Sequence, residues 1–323
     1  MSNSHIVAVH RPGERGWIAP GSEQHRAMMS PSKAAAVLGF SRWQSPYALW
    51  MEMSGRVEPD PPKDIFDVGH DAEPYMAARW RRLNPGWLLS PDEVQFVIDP
   101  EHFGFPAVVT LDRRAVRGRA RRVVQCKIAR DLDDARVWGD DLADSDSEAP
   151  ADYAAQVFTE MLFSGYTRHD GHLMVAGPFW AEKCYPIRYD ANTAAGLITE
   201  LRRFWESLRR NKPPPLDDSV ATYQTVRKQH PDIDAGTTIE LDAGLAASYL
   251  EALAEQKDTE RLVRGLKTEV LDAMGDTETA VCGPIRVAKR TPHASGTVAL
   301  TAARKTTGAD IRNLSAQPEG MPA

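Results

Sequence analysis

Between residues 93 and 128 the sequence holds three β-rich runs, "EVQFVID", "FPAVVTLD" and "ARRVVQCKI", with helical segments on both sides. Side chains two apart on a strand share a face, so such alternation describes strands half-buried on a sheet. Gly118 supplies a turn between the last two runs, and the three read together as a meander. Upstream, "SPSKAAAVLGF" and "SPYALWMEMSG" both begin Ser-Pro and run to a Gly, Gly39 in the first and Gly55 in the second. Ser30 and Ser45 can cap, Pro31 and Pro46 suit the first helical turn, and Gly39 and Gly55 stop the helix. A third helical stretch covers about 67–82. Downstream, "ADYAAQVFTEMLFSG" returns to helix from Asp152 to Gly165, and "HLMVAG" and "CYPIRYD" form strands around a Gly177-Pro178 turn. Leu197, Leu201, Phe204 and Leu208 then mark one face of a helix over about 191–210. The order α-β-β-β-α-β constrains the chain to a mixed α/β sheet flanked by helices.

The flanks divide the chain. Residues 1–25 lack periodicity and form an irregular N-terminal arm, 26–211 form the core, and 212–323 carry a C-terminal extension. The proline-rich "NKPPPLDDS" (211–219) is the break, followed by one amphipathic helix over about 242–275, a hairpin "TAVCGPIRVAKR" and a polar tail. With 42% hydrophobic and 26% charged residues, the chain can bury a core. Its three scattered cysteines form no CxxC pair, which argues against a zinc site, an iron–sulfur cluster and a disulfide framework. No apolar run reaches the roughly 18 residues of a membrane span, and the start carries only a short apolar run. A cytoplasmic, membrane-free protein is expected.

Net charge is −6, yet "RRAVRGRARR" (113–122) holds six arginines and the stretch 131–148 is strongly acidic. Taken alone, these read as a solvated hairpin tip beside a solvated loop. "HDGH" (169–172) offers two histidines, whereas zinc needs three or four ligands, so turn residues are expected.

Four places nevertheless line up. "GHDAEP" puts Glu73 on the third helix, "VVTLD" ends a strand at Asp112, and "QCK" sets Gln125 and Lys127 on one strand face. "YAAQ" puts Tyr153 and Gln156 on neighbouring helix positions. Phosphodiester hydrolysis needs such parts, because Mg²⁺ takes oxygen ligands from one or two carboxylates. The ion polarises the phosphate and lowers the pKa of an attacking water, which a lysine can orient. Judged singly, Glu73 is a surface carboxylate, Asp112 a turn residue and Lys127 a strand-edge charge; their order carries the signal.

From about Arg26 to Asn211 the chain resembles the YqaJ-like viral recombinase family, relatives of lambda exonuclease in the PD-(D/E)XK nuclease superfamily. The motifs are "SKAAAVLGFSRWQSPYALWMEMSG", "GHDAEPYMA", "TLDRR", "QCKI" and "YAAQVFTEMLFSG". That resemblance implies a restriction-endonuclease-like core and a Mg²⁺-dependent DNA exonuclease, with Mn²⁺ as a substitute. It makes Asp112 a metal-binding aspartate, Glu73 a glutamate acting directly or through water, and Lys127 the catalytic lysine. The Cys126 carbonyl would complete the metal shell. Tyr153 and Gln156 would support the site and contact DNA, Arg26 and Ser32 would receive a 5′ phosphate, and Arg113 and Arg114 would contact phosphates. "SPDEV" matches the aspartate motif by letter, but Asp92 precedes the first strand and is a decoy. Implied partners are duplex DNA ends, a single-strand annealing protein and further copies in a ring trimer; the setting is a phage or prophage in a bacterial host. The departure is Gln125, where the family usually has Glu. Three readings follow: a working exonuclease with an altered ligand, a DNA-binding protein with lost catalysis, or an interaction subunit using the 242–275 helix.

Overall fold

The computed structural model describes residues 5–61, 65–132, 138, 149–292, 296–303 and 306–315. The acidic stretch lies mostly outside them. Two compact units divide after Ile233.

The first unit opens with β1 (Ile6–His10), α1 (Glu23–Arg26), α2 (Pro31–Val37) and α3 (Pro46–Met53). Next come α4 (Ile65–Leu83), β2 (Leu88–Leu89), β3 (Val94–Ile98) and α5 (Pro100–Phe103). The centre is β4 (Ala107–Leu111), β5 (Arg113–Arg117), β6 (Ala120–Ile128), α6 (Ala151–Ser164) and β7 (Gly171–Ala176). The unit ends with β8 (Glu182–Ile187), α7 (Ala191–Arg209) and α8 (Val220–Gln229).

The expected mixed α/β core with flanking helices is present, but its strands do not form one meander. Antiparallel β3 and β4 join β1 in one sheet, while β2-β5-β6-β7-β8 form another in which β6 and β7 run parallel. The chain leaves the first sheet after Leu111, which pairs with Val94, and enters the second at Arg113, which pairs with Val124. Asp112 alone stands between.

β1 corrects the expectation of an irregular arm. "IVAVH" is short and weakly patterned, and its antiparallel pairing with β3, Ile6 opposite Ile98, makes it a strand. Such pairing is a tertiary effect that local pattern does not report.

The five-stranded sheet is covered on both faces. Val123, Leu173 and Val175 pack in the main core with Val157 and Met161 of α6. Val124, Cys126 and Met174, on alternate positions, pack with Met76 and Trp80 of α4. The approach of α6 is close: a Cβ on Gly171 would lie 2.7 Å from the Val157 Cγ1 and 2.8 Å from the Met161 Sδ. Glycine at the start of β7 thus lets the helix sit down on the sheet.

Ser45 caps α3 by accepting from the Ala48 N–H at 3.0 Å, and its hydroxyl is 2.7 Å from that of Thr222 on α8. Tyr47 donates to Gln229 at 2.9 Å. So α8 belongs with the first unit, and the division falls beyond the proline-rich break.

The second unit contains α9 (Ala243–Met274), β9 (Thr279–Cys282), β10 (Ile285–Pro292), β11 (Val298–Ala302) and α10 (Gly308–Ser315). The sequence pattern gives the helix and the hairpin. β11, which adds to β10 in the sheet order β11-β10-β9, lies in what reads as a polar tail.

Ser45→Ala removes a cap and a buried partner of Thr222, and should cost about 1–2 kcal/mol in urea unfolding. His172 on β7 accepts from the Trp80 indole N–H at 2.9 Å, and burial, aided by Arg122, drives its pKa down to about 3. The unfolded chain takes up this proton near pH 6.5. The contribution is therefore whole above that pH and is lost as pH falls towards 3, by up to about 1.4 kcal/mol per pH unit. His172→Gln should flatten the acid limb of the stability profile between pH 6.5 and 4.

Candidate active site

Asp112 is held at the crossing between sheets by its side chain. Its Oδ2 accepts the backbone N–H of Cys126 at 2.8 Å. Because Arg113 pairs with Val124, Asp112 stands across from Gln125, and directly opposed residues share a sheet face. Lys127, two further along β6, lies on that face as well. Val123 on the same alternation packs with α6, so this is the face that α6 covers. Asp112, Gln125 and Lys127 are thus brought together as the sequence pattern expects.

Gln125 is 2% exposed, and its Oε1 has no hydrogen-bond partner among the described residues. An unpaired buried acceptor costs roughly 1–3 kcal/mol, so such atoms need a physical reason. The Lys127 ammonium lies 5.8 Å from the centroid of the Tyr153 ring. Arg42 sits 5.5 Å from the same ring and bonds Asp152 at 3.0 Å, while Trp138 stacks on it with centroids 5.6 Å apart. Tyr153 therefore acts as a platform for two cations at the mouth of α6.

Glu73 lies on α4, which packs on the other face. Its Oε2 accepts from Arg113 at 3.0 Å and its Oε1 is 3.1 Å from the His70 Nδ1. Burial raises its pKa, the Asp112 carboxylate adds to the rise, and Arg113 and His70 oppose it.

Two acids escape the motif reading. Glu93, one residue past the decoy Asp92, is pushed up to about 7 by burial and then by the Asp112 and Glu73 carboxylates. Glu160, one turn beyond Gln156 on α6, is fully buried. Its Oε1 accepts from the Gln156 Nε2 at 3.0 Å, and its Oε2 has no partner among the described residues. Burial and the Asp112 carboxylate hold its carboxyl well above the usual range, against the pull of Lys127 and the Gln156 bond. The signal for Glu160 was its helical spacing, since residues four apart meet on one face. Gln156 consequently orients Glu160 as well as standing near the site.

The arginine run is not presented as one surface: Arg117 and Arg119 at the hairpin tip are exposed, while Arg113, Arg114 and Arg122 turn to partners within the fold. Arg113 is buried against Glu73 with its side chain 6% exposed, so the expectation of a phosphate contact there does not fit its place. The Arg114 side chain turns to the Tyr166 hydroxyl, and Arg117 and Arg122 both lie 4.8 Å from the centroid of the Trp87 ring. Strand alternation, invisible in a charge count, sends successive arginines to opposite faces.

Arg26 and Ser32 lie on α1 and α2. Arg26 donates to the Gly21 carbonyl at 2.8 Å, and the hydroxyls of Ser32 and Ser30 are 3.1 Å apart. Between them Lys33 donates to the carbonyls of His25 and Arg26 at 2.9 Å each and of Met28 at 2.5 Å. Burial drives its pKa down to about 7, and three acceptors are satisfied only by the three N–H bonds of the charged ammonium. No sequence motif announces this clamp.

His169 and His172 pack against Trp87 and Trp80, as turn and core residues rather than ligands. Among the described residues no three His, Cys, Asp or Glu side chains make a metal cluster by themselves. One or two carboxylates with neutral oxygens suffice for Mg²⁺, so the fit rests on Asp112 together with the unpartnered Gln125 oxygen.

A scan against family models matches residues 22–167 to the YqaJ-like viral recombinase domain. That segment spans α1 to the residues just past α6 and contains Arg26, Ser32, Glu73, Asp112, Gln125, Lys127, Tyr153 and Gln156. Among solved structures, the chain is similar to an alkaline exonuclease, LHK-Exo, from Laribacter hongkongensis. The identity is 15% over 64% of this chain and 95% of that one, at a TM-score of 0.40. It is also similar to LHK-Exo in complex with dAMP, at 15% identity over 65% of this chain and 97% of that one, with a TM-score of 0.43. No curated protein matches the sequence. The family resemblance carried by the motifs is thereby borne out for the YqaJ-like domain, and no helix of the described residues is long and apolar enough to cross a membrane.

Arg113→Ala would leave Glu73 without its guanidinium in a buried position. Breaking such a pair should cost on the order of 3 kcal/mol in urea unfolding. The salt dependence of DNA binding should stay unchanged, because a guanidinium held inward releases no phosphate counterions.

Proposed function

We propose that the protein is a metal-dependent deoxyribonuclease of phage recombination, an exonuclease that degrades the 5′-ended strand of linear duplex DNA and leaves 3′ single strands. One observation carries this reading: a buried, unpartnered amide oxygen on Gln125, across from Asp112 and on the face that carries Lys127. An acceptor without a donor, beside a carboxylate, suits a cation. Asp112, Gln125 and the Cys126 carbonyl would hold Mg²⁺ or Mn²⁺, and Glu73, with both oxygens engaged, would act on it through water. When bound, the ion polarises the scissile phosphate and lowers the pKa of the attacking water.

The chain's own groups do the rest. Lys127, steadied over Tyr153, orients that water and favours its deprotonated form. Arg26 and Ser32, with their helices tied by Lys33, receive the 5′ phosphate of the strand end. Arg114 would meet the backbone only by leaving Tyr166. The product single strand would pass to an annealing protein, and further copies of the chain would close around the duplex as a ring trimer. The work takes place in the cytoplasm of a bacterial host.

The neutral Gln125 favours a second reading, a nuclease-like DNA-binding protein without catalysis. Incubation with Mg²⁺ or Mn²⁺ and linear duplexes bearing a 5′ phosphate or a 5′ hydroxyl separates the two. Resection from phosphorylated ends supports the exonuclease, and binding without cleavage at every metal concentration selects the alternative.

Asp112→Ala and Lys127→Ala should each lower cleavage at least about a hundredfold. Duplex binding in Ca²⁺ should persist in both. Full cleavage by either variant would sink the assignment.

A further inference from the structure

We propose that Glu160 on α6 supplies the carboxylate that Gln125 on β6 does not, so that the divalent cation is held between Asp112, the Gln125 amide oxygen and Glu160. This rests on the functional reading above and names a ligand beyond it.

Among the described residues, two side-chain oxygens around Asp112 are buried and without a partner: the Gln125 Oε1 and the Glu160 Oε2. Both belong to the face of the sheet covered by α6. Gln125 alternates with Val124 and Cys126, which face α4, and Glu160 lies on α6 between Val157 and Met161, which pack in the same core as Val123. The charged groups acting on Glu160 are Asp112 and Lys127, the same two that flank Gln125. Two acceptors cannot satisfy each other. A cation, a proton or a water must answer them, since among the described residues neither oxygen has a hydrogen-bond partner.

Glu73 presents the contrast. Both of its oxygens are engaged, one by Arg113 and one near His70. Glu160 is held by one oxygen only, through Gln156, leaving the other unsatisfied in a site 0% exposed. That is the arrangement of an oriented ligand with a supporting hydrogen bond. Its charge also restores the count. Asp112 with Gln125 alone supplies one negative charge, and Asp112 with Glu160 supplies two, the upper end of the one or two carboxylates usual for Mg²⁺.

The test measures Mn²⁺ binding to the full chain without DNA, by electron paramagnetic resonance of the free ion. Mn²⁺ binds such oxygen sites while reporting directly on occupancy. Wild-type protein should bind and Asp112→Asn should not. Glu160→Gln keeps shape and the Gln156 contact, and should weaken binding by roughly tenfold or more. The double variant Gln125→Glu with Glu160→Gln moves the charge back to β6 and should restore it. Unchanged affinity in Glu160→Gln, with binding lost in Asp112→Asn, overturns the proposal and leaves the nuclease reading standing. Absence of any saturable binding by the wild type overturns both. A double variant as weak as Glu160→Gln overturns the exchange of charge between β6 and α6. A second measurement needs no variant. Fe²⁺ bound in place of Mn²⁺, with ascorbate and peroxide, cuts the backbone beside its ligands, and the cuts are mapped by mass spectrometry. Cuts in α6 together with cuts near 112 and 125 are expected, and cuts near 112 and 125 with none in α6 overturn the proposal whether or not the variants fold.

Discussion

The Cys126 N–H bonded to the Asp112 carboxylate is the interaction on which the site depends. With Arg113 opposite Val124, the position opposite Cys126 would be Leu111, which is committed to Val94 in the other sheet. The Asp112 side chain therefore accepts an N–H beyond the end of the β5 ladder, and a buried N–H must be accepted somewhere. One hydrogen bond thus fixes where the chain changes sheets and where a carboxylate is presented. Every other site residue takes its place relative to that crossing.

Around it, negative charge accumulates from several directions. Glu73 comes from α4, Glu93 from the approach to β3, and Glu160 from α6; burial is the largest cause of the raised pKa in each, and Asp112 a further one. Arg113 and Lys127 supply the nearby positive charge, from β5 and β6. Such crowding costs stability in the absence of a cation, because like charges in a poorly solvated place repel strongly. A bound divalent ion inverts that logic, turning each repulsion into attraction.

The arginines show how far linear charge differs from presented charge. Arg113 is spent inside on Glu73, and Arg117 and Arg122 lie over Trp87, which is itself buried. Over an aromatic face, a guanidinium keeps its charge but gives up orientations in which it could meet a phosphate. Arg26 at the end of α1 has its carbonyl held by the internal Lys33 clamp, which no sequence motif announces.

Local pattern alone determined the main helices, the β-rich runs, the shared face of Gln125 and Lys127 and that of Tyr153 and Gln156, since side-chain direction follows from periods of 2 and 3.6 within one element. Ser45 as a cap and Gly165 as the stop of α6 were legible for the same reason. Only tertiary structure decided which elements meet. It turned "IVAVH" into an edge strand, split the expected meander at Asp112, placed α8 with the first unit, and buried Arg113. It also laid α6, with Glu160 among Val157 and Met161, on the sheet face that carries Val123 and Gln125, a meeting that no spacing rule connects. Periodicity states which way a side chain points from its own backbone. What it points at is set by the packing of α6 onto the sheet, through a close approach that Gly171 permits and the sequence does not announce.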